Sequence, residues 1–397
     1  MNAKILGILV ALAVLAVGAV LLTQRDETEG QVVTQQHLVP GLEESINSVA
    51  RLRLTRAGDE LVAELARTDE GWVVVNRDNY PADLGQVRQT LLNLAGSRLV
   101  EEKTGNPEFY DRLGVSEVSE PDAGGTRLEL EGLDEAPLAL IIGDPADGLD
   151  GTYTRRADEA RSWLASGALA LSQTVTDWLD TQVMDIPTGD IQSLSIQHPD
   201  GETLRLDKTD RSQTDFTVVD IPEGRELASQ DSANILGSAL AGLQLDDVLA
   251  GSELAVEESV RVRYQTFDGL VVEAEAFMQD ENHYLRFLTV RYDEDLARRF
   301  APVEADAEEN EADVTVVETE AGTNTTAALD EAAIGEGRQR AETLAERVNG
   351  WVYQIPSHKH GNMTRRLAEL LKPMEEAAPA ATDPAGEELV PILPEQS

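Results

Sequence analysis

Few residues in this chain are equipped for chemistry by type and spacing. His358-Lys359-His360 comes nearest to a metal motif, because two imidazoles two apart in an extended segment face one side and grip a cation if a carboxylate joins them. No third ligand stands nearby, and an exposed loop accounts for the pair equally well. Asp144, Asp147 and Asp150 suggest calcium, but a calcium loop closes with a bidentate Glu at its twelfth position, and counting from Asp144 puts Arg155 there. With glycines and a proline interleaved, Gly143 to Gly151 reads as a wide hairpin turn. Asn324-Thr325-Thr326 matches a glycosylation acceptor, a pattern common by chance. His37, His198 and His283 lie beside turns with no obvious nucleophile or base, and Trp72, Trp163, Trp178 and Trp351 sit in apolar contexts that suit core anchors. No phosphate-binding loop, nucleophile elbow, HExxH or EF-hand pattern occurs. No catalytic, cofactor-binding or metal residue is assigned, no cofactor is expected, and the chain reads as a non-enzyme.

The elements that would position any site form two related series. In the first, Val49, Leu52 and Leu54 alternate, turn at Ala57-Gly58-Asp59, and return through Leu61, Ala63 and Leu65. Gly71 to Val75 supplies a third strand, Tyr80-Pro81-Ala82-Asp83 a turn with Asp83 as N-cap, and Val87, Leu91, Leu92, Leu94 and Ala95 the apolar face of a helix. Strands at Thr126–Glu131, Pro137–Ile142 and Thr152–Arg156 follow. The order returns with Ile191, Leu194 and Ile196, a turn at Pro199-Asp200-Gly201, Leu204 and Leu206, then Phe216–Val219. A helix from about Asp231 presents Leu236, Leu240 and Leu243, and strands follow at Val260–Tyr264, Leu270–Met278 and Tyr284–Phe287. The offset drifts from roughly 142 to roughly 149 residues, as an internal duplication with unequal loops would produce. The expected class is α+β: an N-terminal transmembrane helix, then two duplicated, mostly antiparallel β-sheet modules, each with packed helices.

Ile5 to Leu22 run 18 residues without a charge. At ~1.5 Å per residue they span ~27 Å, close to a bilayer's hydrocarbon core. Lys4 and the free amine place the N-terminus in the cytoplasm and the body in the periplasm, single-pass in an inner membrane. Cleavage after Val17-Gly18-Ala19 is the alternative, and it would leave an apolar mature start. The expected organisation is an anchor at 1–23, a polar tether at 24–44, and a first repeat at 45–186. The second repeat takes 187–302 plus 338–372. Residues 303–337 form an acidic disordered insertion and 373–397 a disordered tail. Arg338–Val348 should be helix, Trp351–Pro356 strand and Met363–Leu371 a last helix.

With 32 basic and 74 acidic residues in 397, the net charge is -42. That disfavours nucleic acid and anionic membrane surfaces as partners, since both are bound by basic faces. The absence of cysteine excludes disulfides, thiolate metal sites and thiol nucleophiles. Removing -11 for 303–337 and -6 for 373–397 leaves -25, so the folded body is itself acidic. It is also poor in lysine, with only Lys4, Lys103, Lys208, Lys359 and Lys372, which suits a saline periplasm where salt screens self-repulsion.

Several stretches resemble the bacterial domain of unknown function 4340 family. They are Gly71-Trp72-Val73-Val74, Tyr80-Pro81-Ala82-Asp83, LGQVRQTLLNLAGSRLVEEKT, FYDRLGV at Phe109 to Val115, LIIGDPADGLDGTYTRR and GWVYQIPSHKHGNMTRRLAELL. The resemblance spans nearly all of the chain outside anchor, tether, acidic segment and tail. It implies a single-pass exported protein found beside subunits of a gliding-motility-type ABC transporter, and it carries over no site residue. The leading expectation is a non-enzymatic, membrane-anchored accessory subunit that engages an ABC permease or partner membrane subunit. The alternative is a periplasmic module holding a small molecule, peptide or glycan between the repeats. An envelope hydrolase is the remote third, which a cluster of carboxylates with raised pKa values would revive.

Overall fold

The structure is a computed structural model and describes residues 36–133, 137–251, 256, 258–301 and 331–373. The apolar run 5–22 and the segment 302–330, with Asn324, lie outside the described residues, as does the tail beyond Pro373. No helix among the described residues is long and apolar enough to cross a membrane.

Alternating apolar residues form the first hairpin, β1 (Arg51–Arg56) and β2 (Glu60–Thr68), joined at Ala57–Asp59 where Gly58 takes a left-handed φ of 73°. After β3 (Gly71–Val74) and β4 (Tyr80–Pro81), Asp83 caps α1 (Leu84–Gly96) by accepting from the amides of Gly85 and Gln86. Val87, Leu91, Leu94 and Ala95 are buried, whereas Leu92, expected on the same face, is exposed. At ~100° per residue it falls at the edge of the stripe that the other four share. Next come β5 (Leu99–Glu102), β6 (Thr126–Glu131), β7 (Leu138–Pro145), β8 (Gly151–Arg156) and β9 (Ser162–Ser166).

β10 (Gln182–Met184) leads into β11 (Ile191–Gln197), β12 (Thr203–Asp207) and β13 (Thr217–Val219). The expected long helix is instead a short α2 (Gln230–Asn234) and a tighter turn at Ile235–Ser238, with Leu243 in β14 (Leu243–Gln244). Gly237 lies against Phe216, where a Cβ would come within 2.5 Å of a ring carbon. β15 (Asp247–Ala250), β16 (Val260–Thr266), β17 (Leu270–Gln279) and β18 (Asn282–Tyr292) precede α3 (Glu294–Arg299), α4 (Glu331–Val348) and β19 (Trp351–Gln354).

The first sheet runs β4-β3-β2-β1-β6-β7-β8-β9-β5 and the second β13-β12-β11-β16-β17-β18-β19-β15. Setting aside the extra edge strand β4, and numbering strands within each sheet, both read 3-2-1-5-6-7-8-4. Every pairing is antiparallel, including the small β10–β14 ladder. Where five residues (157–161) link β8 to β9, residues 293–350 link β18 to β19. The apolar faces of both sheets share one continuous core with residues of α1 and α4.

Three expectations need correction. The end of the tether is not free: Leu38, Val39 and Leu42 are buried, because apolar residues in a polar stretch still seek the core. Residues 331–337, assigned to the disordered insertion, begin α4, where Ile334 is buried and Gly337 abuts Tyr292. The last helix is displaced to α5 (Ser357–Met363), which ends at Met363, with only a single turn at Leu367–Leu370 beyond it. Between them the Arg366 backbone is extended while its guanidinium pairs with Asp200 and Glu202.

Candidate functional site

The segment Tyr80–Asp83 sits where the two sheets meet. The Tyr80 ring packs edge-on to Trp351 at 5.0 Å and to Tyr353 at 6.3 Å, both on β19 of the second sheet. Its hydroxyl donates to the Asp180 carbonyl at 3.2 Å. Burial and the nearby Asp180 charge push the Tyr80 pKa up to about 12, and burial raises Tyr353 as well, so both stay neutral phenols at physiological pH. Beside them the Arg77 fork donates to both carboxylate oxygens of Asp247, at 2.8 and 3.0 Å, with each side chain roughly a quarter exposed. Arg347 of α4 reaches Asp180 at 2.8 Å and also the Gln182 carbonyl.

The backbone closes the same seam. Asp83 donates its amide to the Trp178 carbonyl at 2.8 Å, Asp180 to Pro81 at 3.0 Å and Leu245 to Thr181 at 2.9 Å. Trp178 is fully buried, as a core anchor should be. Over this seam lies an open groove of about 470 Å³, lined by Trp72, Glu70, Asp83, Asp180, Gln182 and Gln244. One indole and three carboxylates suit a cationic or hydroxyl-rich ligand. Elsewhere among the described residues, the carboxylates displaced from their ordinary pKa range are all pulled down, by a hydrogen-bonding partner first in each case.

The histidine pair and the aspartate trio end up elsewhere. His358 and His360 belong to helix α5, so their side chains diverge by about 200° rather than facing one side. His360 is buried and stacks on His283, centroids 4.7 Å apart. Burial, and then the neighbouring His283, lower its pKa to about 4. Asp144 is exposed near the end of β7, and Asp147 and Asp150 are exposed in the turn between β7 and β8. Among the described residues no group of three His, Asp or Glu is placed to hold a metal ion. A second hollow, of about 870 Å³, is lined by Lys208, Arg211 and Arg299 together with Asp207 and Asp210. Lys208 is engaged there, bonding the Thr188 carbonyl at 3.3 Å and lying 4.4 Å above the Phe216 ring.

No local pattern announces the junction cluster, since Tyr80 and Trp351 are far apart in the chain. The only hint is that Trp72, Tyr80 and Trp351 all fall inside the stretches that carry the family resemblance.

Residues 72–260 match the family model described as Domain of unknown function (DUF4340). The chain carries a domain of this family. The DUF4340 match runs from β3 of the first sheet to the start of β16 in the second, so it crosses the junction and includes Tyr80, Asp180 and Asp247. No curated protein and no solved structure matches the chain.

Proposed function

We propose that this DUF4340 protein is a non-enzymatic, membrane-anchored accessory subunit of an ABC-type, gliding-motility-like membrane complex. In this reading residues 5–22 hold it in the inner membrane with the N-terminus cytoplasmic, and the body stands in the periplasm as a platform for a permease or partner subunit. The two modules, duplicates of one ancestral unit, supply that platform. The observation that carries the reading is the packed junction: Tyr80 sealed against Trp351 and Tyr353, with Arg77 clamped on Asp247, joins the sheets as one body. A docking platform needs such a lock, whereas a module that closes on a ligand between its halves needs a hinge there.

The groove beside Trp72 favours a second reading, a periplasmic module that holds a small molecule, peptide or glycan at the junction. Purification of the tagged full-length protein after mild crosslinking in its native membrane separates the two. Recovery of an ABC permease or partner subunit supports the platform; recovery of the protein alone contradicts it.

A further inference from the structure

The outward face of the second sheet carries an arginine patch that the described residues compensate only in part. Across β12, β11 and β16 the register sets Arg205, Ser195 and Arg263 in one row and Thr203, Gln197 and Arg261 in the next. These six residues are exposed or half-exposed, hold three arginines and include no carboxylate. The Arg205 and Arg261 side chains make no ion pair or hydrogen bond among the described residues. Arg263 reaches Glu273 only at 3.6 Å, and Glu275, opposite Arg261, is held by Arg286 and Ser259.

The first sheet provides an internal comparison, because β2, β1 and β6 occupy the same places in the shared strand order. There Arg53 lies between Glu64 and Glu129 in the register, Arg51 pairs with Glu64 and Glu131, and Arg127 pairs with Glu129. Three arginines meet three glutamates. On the second sheet the central Arg53 has its counterpart in Ser195, and Arg205 and Arg263 flank that serine where Glu64 and Glu129 flank Arg53, within a chain of net charge -42.

We propose that this arginine face docks a short carboxylate-rich segment of a partner protein. Neighbouring strands ~4.8 Å apart put Arg205 and Arg263 ~10 Å from each other across Ser195, a span that successive acidic side chains of an extended segment bridge. Guanidinium forks match carboxylates in pairs, and the Ser, Gln and Thr side chains between them offer neutral hydrogen bonds. The acidic body selects a short segment over a long polyanion or an anionic bilayer, both of which its field repels at longer range. The inference rests on the platform reading and names the chemistry of what the platform holds.

The test uses full-length protein in detergent micelles and a fluorescein-labelled peptide of alternating Glu and Ser, read by anisotropy at low and high salt. Salt-sensitive binding is expected, weakened about tenfold in the triple variant Arg205→Ser, Arg261→Ser, Arg263→Ser, whose melting temperature stays that of the parent. Arg51→Ser with Arg53→Ser should leave binding unchanged. Equal binding by the triple variant overturns the proposal. So does arginine-dependent capture of phosphatidylglycerol vesicles without peptide binding, and so does peptide binding that appears only after residues 304–320 are deleted, because the chain then covers its own face. In the crosslinked purification, a permease recovered equally by parent and triple variant overturns this face and leaves the platform reading standing. A parent that recovers no partner removes the platform reading itself.

Discussion

Replacing Tyr80 by Ala should destabilise the protein more than its small share of the chain suggests. The side chain is 2% exposed and contacts both sheets. Truncating a buried aromatic costs about 3–5 kcal/mol, of which each edge-on ring contact supplies about 0.5–1.5 kcal/mol. The vacated space is bordered by the Trp351 and Tyr353 rings of the second sheet, so collapse would require the sheets to shift. For units of this size ~1 kcal/mol moves the melting temperature by ~2–4 °C, giving a fall of roughly 6–20 °C. Tyr80→Phe keeps both ring contacts and loses one hydrogen bond to the Asp180 carbonyl, a cost of about 1 kcal/mol and ~2–4 °C. Differential scanning calorimetry of both variants separates packing from the hydroxyl. Equal losses in the two variants, or a Tyr80→Ala melt within ~2 °C of the parent, would refute the claim that the ring locks the junction.

Other outcomes follow from the same structure. The folded-state pKa of His360, lowered to about 4, lies below its unfolded value, so the unfolded chain takes up the proton first and stability is lost as pH falls from ~6.5 towards 4. The ceiling is about 3 kcal/mol, trimmed by water at the site, and urea titrations should show a flatter pH dependence for His360→Gln than for the parent. Asp83→Ala removes the cap of α1 and should cost about 1 kcal/mol by chemical denaturation. The melting temperature should rise from low to marine salt, because screening relieves the self-repulsion of the acidic body; a flat response would sink the saline reading.

Strand alternation makes most of the sheet legible, because one face of each strand is apolar and the other polar. Leu52 and Leu54, Leu194 and Leu206, and Val262 and Tyr264 all point inward as their spacing implies. The edge strands β5 and β15 give no such signal: Leu99 to Glu102 shows no alternation in burial, since an edge strand is only half covered. Helix α5 is equally silent because Ser-His-Lys-His-Gly-Asn-Met has no apolar periodicity; tertiary packing of His360, Asn362 and Met363 holds it instead. The start of α4 is masked by acidic residues that mimic the composition of the segment before it. The junction and the arginine face both depend on register and on contacts between distant strands, which no local pattern encodes. The recurring order of elements is readable from the residues, and the two sheets share one strand order once β4 is set aside.

The most direct test of the account that the platform docks its partner on the arginine face places a photocrosslinking amino acid at position 261 on the second sheet, and separately at position 53 on the first, in full-length protein in its native membrane. The account expects adducts to an ABC permease or partner subunit from position 261 and few from position 53. No adduct from position 261, or equal adducts from both, would contradict it.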